Sequence, residues 1–200
     1  MNRRGFTLLE LMIVLLIIGI LAGVFIATGG SLFRGTAEKL TKVRLQQIAG
    51  LIEEYRTIEG EYPDDRLSAS ASTTRINDGS EALFLALFDS GYTGGRPNQD
   101  WLGNSDGDSS TRALTILASR ELFELVDGWD NPIVYIHSLH YDDPMQVLAG
   151  PDQIFEEQAV GALMNPRTGG WEEPSGYQLI SAGEDGMFGN EDDLAHFQGR

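Results

Sequence analysis

The stretch RRGFTLLELMIVLLIIGILAG, Arg3 to Gly23, holds two arginines and then an apolar run interrupted near its start by one carboxylate, Glu10. No charged residue occurs from Leu11 to Ala27, and Phe6 to Thr28 as a helix would reach about 34 Å, long enough to cross a bilayer. A lipid-facing charge costs roughly 2.5 kcal/mol or more at a helix centre, so a glutamate kept there needs a partner or a task. An ordinary secretory signal has a short apolar core followed by a small-residue cleavage site. Here the run is too long, and TGGSLFRGTAEKL, Thr28 to Leu40, has no such site. With Arg3 and Arg4 retained on the cytoplasmic side, Thr41 to Arg200 is expected outside.

The rest of the composition narrows the function. Two hundred residues with 42% apolar content suit one packed domain plus an appendage. A formal charge of −16 repels nucleic acid and anionic headgroups while suiting cations, so nucleic acid is not an expected partner. The absence of cysteine removes disulfides, thiolate metal sites and cysteine nucleophiles. No nucleophile elbow, phosphate loop or redox motif occurs, and no enzymatic activity is expected.

In order, the glycine, phenylalanine, threonine, glutamate and apolar run of RRGFTLLELMIVLLIIGILA resemble the class III signal of type IV pilins and type II secretion pseudopilins. The resemblance implies that a prepilin peptidase cuts after Gly5 and methylates the new amino terminus, Phe6. It also implies that Glu10 pairs with the amine of a neighbouring subunit's Phe6 during assembly, a charge tolerable once paired within a helix bundle. The chain then divides into a leader at 1–5, a transmembrane and assembly helix at 6–28, an amphipathic stem helix at 29–60 and a periplasmic head at 61–200. Many family members carry a helix-bending proline late in the run; none occurs here, and the adjacent Gly29 and Gly30 are expected to supply the weak point.

Beyond Ser31, apolar Leu40, Val43, Ile48, Leu51, Ile52 and Tyr55 recur at helical spacing up to Glu59, and Gly60 with Tyr62–Asp65 ends the helix. A short helix is expected from an N-cap at Ser80 to Gly91, with Glu81 in its first turn. A second is expected through ALTILASRELFELV, Ala113 to Val126, stopped by DGWDNP, Asp127 to Pro132. Ile133–Ser138 and Tyr177–Ala182 have the β-branched and aromatic content of strands. The expected fold class is α+β, a long helix packed on a small antiparallel sheet, pilin-like.

SAGEDGMFGNEDDLAHF, Ser181 to Phe197, gathers Glu184, Asp185, Asn190, Glu191, Asp192 and Asp193 among three glycines directly after a strand. Hard oxygens on a turn-rich backbone suit Ca²⁺, although the spacing is not that of an EF-hand, and composition alone leaves a solvated acidic turn open. YQLISAGEDGMFGNEDDL resembles the C-terminal calcium loop of the major pseudopilin of type II secretion, its G subunit. That resemblance implies Ca²⁺ held by Ser181, Glu184, Asp185, Asn190, Asp192 and Asp193. DGWDNPIVY resembles the same family's Asp-Pro-Trp-Gly-Asn-Pro segment, with Gly128 and Asp130 in place of proline and glycine, and EYRTIEGEYPDDRL resembles its stem-to-head junction. The head carries extra residues at 68–110 and 137–175. Within them, Asn104, Asp106 and Asp108 form a possible cation loop or a plain one, and His137 and His140 with Asp142 and Asp143 invite zinc, at a spacing that suits a helix better than a strand.

The expected function is that of a structural pseudopilin, polymerising into a periplasmic filament that drives type II secretion. Its partners would be itself, prepilin peptidase, minor pseudopilins, and the inner-membrane assembly platform with its secretion ATPase. Its place would be the bacterial inner membrane, single-pass. The alternatives are a type IV pilin for adhesion, motility or DNA uptake, which usually has a cysteine pair that this head lacks, and a membrane-anchored calcium-dependent binding module.

Overall fold

A 52-residue helix, α1 (Leu8–Glu59), opens the structure. The computed structural model describes residues 8–68, 71 and 74–198, with the backbone alone for 24–34, in two compact units, Met1–Thr36 and Ala37–Arg200. Gly5 and Phe6 lie outside the described residues. In the first unit every described side chain from Leu8 to Gly23 is exposed, so α1 is apolar all round there rather than on one face. Those residues span about 24 Å, short of the ~30 Å hydrocarbon core. Among the described residues no helix is long and apolar enough to cross a membrane.

In the second unit α1 becomes amphipathic. Thr41, Leu45, Ile48 and Ile52, spaced by four, three and four residues, are at most 1% exposed and share one face. Leu40 and Val43, expected in that stripe, lie off it and are exposed. Gly60 ends the helix at φ +89, its N–H donating to the Arg56 carbonyl at 2.9 Å, as a left-handed glycine after a last helical turn does.

α2 (Asp78–Phe88) packs Leu83, Phe84, Leu87 and Phe88 against the α1 face. It begins two residues before the expected cap, and Asn77, at φ 59, occupies the cap position. Among the described residues seven short strands follow in chain order: β1 (Leu102–Gly103), β2 (Glu124–Leu125), β3 (Val134–His137), β4 (Met145–Ala149), β5 (Glu156–Val160), β6 (Tyr177–Ser181) and β7 (Leu194–Ala195). They form three antiparallel sheets, β1-β2, β3-β6-β7 and β4-β5. The α+β class is as the sequence implies.

The central sheet is buried on both faces, as the two-residue alternation of strands allows. Tyr135, Tyr177 and Leu179 join the helical core, while Val134, Ile136 and Ile180 meet Met145, Val147, Ala149 and Val160 of the β4-β5 hairpin. All five residues of β6 are buried in consequence. Among the described residues the outer strand of the hairpin, β5, is paired only with β4, and it exposes Glu156 and Glu157.

The helix expected over Ala113–Val126 does not form. Ser110 closes this segment into a loop: its N–H donates to the Arg120 carbonyl at 2.8 Å, and Arg120 Nε donates back to the Ser110 carbonyl at 3.0 Å. Ala118 is left-handed at φ 55, and the far end becomes β2. Leu122 and Leu125 are buried from this extended backbone instead, an ambiguity that apolar spacing alone does not resolve.

Candidate functional site

The acidic loop after β6 is built from its own backbone outward. Gly183, Gly186 and Gly189 all have positive φ, which lets the chain fold back on itself within a few residues. At Gly183 a Cβ would collide with the Asp192 carbonyl, so residues 183 and 192 must touch. The Asp185 N–H donates to Asp192 Oδ2 at 3.1 Å, and Asn190 Nδ2 donates to Asp185 Oδ2 at 3.0 Å. The Gly189 N–H donates to Asp193 Oδ2 at 2.8 Å. Asp185, Asn190, Asp192 and Asp193 therefore form one knot.

Within that knot Asp193 differs from the rest. It is 8% exposed, and its Oδ1 is buried without a hydrogen-bond partner among the described residues. Burial pushes its carboxyl up, against hydrogen bonds from the backbone of Gly189 and Asn190. A buried acceptor left unsatisfied is costly, and a hard cation would satisfy it. Glu184, Asp185 and Asn190 are exposed and Asp192 half-buried. A carboxylate has about four lone-pair sites, so those already accepting an N–H retain capacity for a metal. The donor set fits Ca²⁺.

Ser181 takes another role. Its Oγ–H donates to Asp127 Oδ2 at 2.6 Å, joining the loop to the DGWDNP turn. Asp127 is fully buried and accepts the N–H groups of Trp129 and Asn131 on Oδ1 at 2.9 and 3.0 Å. Burial raises its carboxyl, while the bonds from Ser181, Trp129 and Asn131 and the Arg44 charge oppose this. Arg44 of α1 donates to the Val126 and Asp127 carbonyls at 2.8 and 2.6 Å. The Gly128 N–H donates to Thr41 Oγ1 at 2.9 Å, a bond that a proline there could not make. Asp130 sits at φ 66, a left-handed conformation that glycine adopts more readily. The turn thus ties the α1 face to the acidic loop.

The hairpin supplies the third support. Gln158 of β5 donates to the Gly186 carbonyl at 2.8 Å and accepts the Phe188 N–H at 3.0 Å. Asn131 Oδ1 accepts the Gly150 N–H at 2.9 Å, beside the point where Gly186 touches Gly150. Asp127 and Gln158 were not singled out by sequence reasoning, because they meet the loop across 54 and 28 residues.

The histidines do not gather with Asp142 and Asp143. His140 Nδ1 lies 2.5 Å from Asp65 Oδ1, His137 Nδ1 accepts the Leu139 N–H, and Asp143 pairs with Arg66. Asp65 also accepts the His137 N–H at 2.8 Å, so this cluster, with Asp64, fastens the end of β3. Glu10 stands in the first turn of α1 on its exposed apolar segment.

Residues 1–26 match the family model of the prokaryotic N-terminal methylation motif. No curated protein and no solved structure matches the chain. The motif is a type IV pilin-like prepilin signal. It implies processing by a prepilin peptidase and pilus-like polymerisation of a membrane-anchored subunit, a structural role.

Proposed function

We propose that the chain is a pseudopilin of the type II secretion kind, anchored in the bacterial inner membrane and polymerising into a periplasmic filament that drives protein export. The observation that carries this reading is the prepilin signal over 1–26, with Glu10 in the first turn of a helix that is apolar on all sides. A helix of that kind is stable only in lipid or against copies of itself. The likeness of DGWDNPIVY and YQLISAGEDGMFGNEDDL to the major pseudopilin, and a head without cysteine, favour secretion over a type IV pilin. Filament partners would be further copies, minor pseudopilins and the assembly platform with its ATPase.

The loop at 181–193 would bind Ca²⁺ through Asp185, Asp192 and Asp193, with Asn190, Glu184 and peptide carbonyls in support and Ser181 positioning the loop from Asp127. What supports this is the orphaned Asp193 Oδ1 among glycines of positive φ. Calcium at a hundredfold excess over Kd would stabilise the fold by about 2.7 kcal/mol.

The test has two arms. Mass spectrometry of the membrane-derived chain should find N-methylated Phe6 at its start, and Glu10→Leu should insert normally yet fail to assemble or support export. Surface filaments with unimpaired export in a deletion strain would overturn the secretion role. For the loop, Asp193→Asn should remove one calcium equivalent in titration calorimetry; an unchanged isotherm would reduce it to a solvated turn.

A further inference from the structure

We propose that Glu81, Asp106 and Glu124 bind a second Ca²⁺ ion at the start of α2, independently of the C-terminal loop. The three carboxylates come from different elements, the first turn of α2, the Asn104–Asp108 loop and β2, and one oxygen from each lies within 4.8 Å of the others. Convergence of acids alone is common on protein surfaces. Here two of the three residues are buried and the third is half-buried.

Glu81 and Glu124 are both 0% exposed. Among the described residues neither oxygen of Glu81 has a hydrogen-bond partner, and Oδ2 of Asp106 is likewise buried without one. An ionised carboxylate is acceptor-only, so these atoms can be satisfied only by donors or by a cation. Among the described residues no lysine or arginine pairs with Glu81, Asp106 or Glu124. Burial and the neighbouring charges of Asp108, Asp106, Glu124 and Asp78 push Glu81 up to about 10, and burial and Asp106 push Glu124 up to about 7. A proton on Glu81 would supply one donor, leaving Asp106 Oδ2 as it is. One divalent ion in the middle satisfies them together.

The surroundings are rigid enough to hold such a site. Asn77 Nδ2 donates to Glu124 Oε1 at 2.6 Å and to Ser105 Oγ at 2.9 Å, while its Oδ1 accepts the Leu148 N–H at 3.0 Å. Ser105 donates its N–H to both Glu124 oxygens at 3.2 Å and its hydroxyl to Oε1 at 3.1 Å. Gly107, at φ 71, turns the loop so that Asp106 Oδ1 accepts the Asp108 N–H at 3.2 Å, leaving Oδ2 for the interior. The donors are all oxygen, which excludes a preference for zinc and selects a hard cation. Carboxylate oxygens from three separate elements suit the irregular, high-coordination shell of Ca²⁺ better than the near-ideal octahedron of Mg²⁺.

The experiment uses the full chain in detergent, stripped with chelator and titrated with Ca²⁺ by calorimetry, with thermal melts run in parallel. The variants are Glu81→Gln, Asp106→Asn and Asp193→Asn. Glu81→Gln and Asp106→Asn should each remove one calcium equivalent that Asp193→Asn leaves in place. Without calcium Glu81→Gln should melt above the wild type, because an amide, unlike a carboxylate, has no charge to neutralise when it is buried; with saturating calcium it should melt below. Asp106→Asn, on the half-buried loop, gives the same readout should the α2 variant not fold. If both variants keep the wild-type equivalents and calcium-induced rise in Tm, or if Mg²⁺ at equal free concentration gives the same rise, the proposal is overturned. Loss of the Asp193-dependent equivalent alone would remove the C-terminal loop and leave this site standing.

Discussion

Gly128→Ala probes the close approach of the DGWDNP turn to α1. The φ of Gly128 is not in the left-handed region, so alanine brings no backbone strain and acts only through its added carbon. That carbon would sit 2.5 Å from the Ala37 carbonyl oxygen and 3.0 Å from its carbonyl carbon and Cα, all helix backbone. Backbone cannot swing aside as a side chain can, so the turn must lift from the helix. Overpacking of this kind costs about 1–3 kcal/mol. Lifting the turn also breaks the 2.9 Å bond from the Gly128 N–H to Thr41 Oγ1, worth about 1 kcal/mol. The sum, about 2–4 kcal/mol, corresponds to a fall in Tm of roughly 4–16 °C for a chain of this size. Tryptophan fluorescence of the full chain in detergent reads it, since Trp129 adjoins the site. Thr41→Val removes the same bond, so the double variant should cost about 1 kcal/mol less than the two single costs added. A Gly128→Ala melt within 1 °C of the wild type, or strict additivity with Thr41→Val, would refute the close approach.

Other positions give sharper local readings. Asp130→Gly should be neutral to stabilising by up to about 1 kcal/mol in chemical denaturation, because φ 66 strains a residue with a Cβ; a loss above 1 kcal/mol would contradict this. Gln158→Ala should destabilise the fold by about 1–3 kcal/mol and speed amide hydrogen exchange across residues 183–193; unchanged protection there would show the hairpin does not hold the loop. Ile48→Ala, at a fully buried site in the helical core, should cost about 2–5 kcal/mol by the same denaturation assay.

What the sequence discloses follows the range of the forces involved. The end of α1 was legible because Gly60 and Pro63 act locally, and β3 and β6 because Val, Ile and Tyr cluster there. The β4-β5 hairpin was not, since MQVLA and EEQAV carry little strand signal and are extended by packing on the central sheet. Ala113–Val126 misled for the converse reason: helical apolar spacing was present, but bonds between Ser110 and Arg120 won. The glycine-rich acidic loop could be seen in the chain, whereas the bond from Ser181 to Asp127 required the folded sheet. Glu81 read as an ordinary first-turn acid. Its signal lay in the helix around it, where ALFLALF leaves no polar face through which a carboxylate could reach water.

The outer strand of the hairpin bears on assembly in another way. An unpaired strand edge offers a row of N–H and C=O groups to any similar edge nearby, and subunits crowded into a filament meet their own kind constantly. β5 presents Glu156 and Glu157 along that edge, so two copies approaching strand to strand would bring carboxylates together as they bonded. Sticking through sheets is thereby discouraged. Association would then be left to the apolar helix, so that copies meet through one element instead of two.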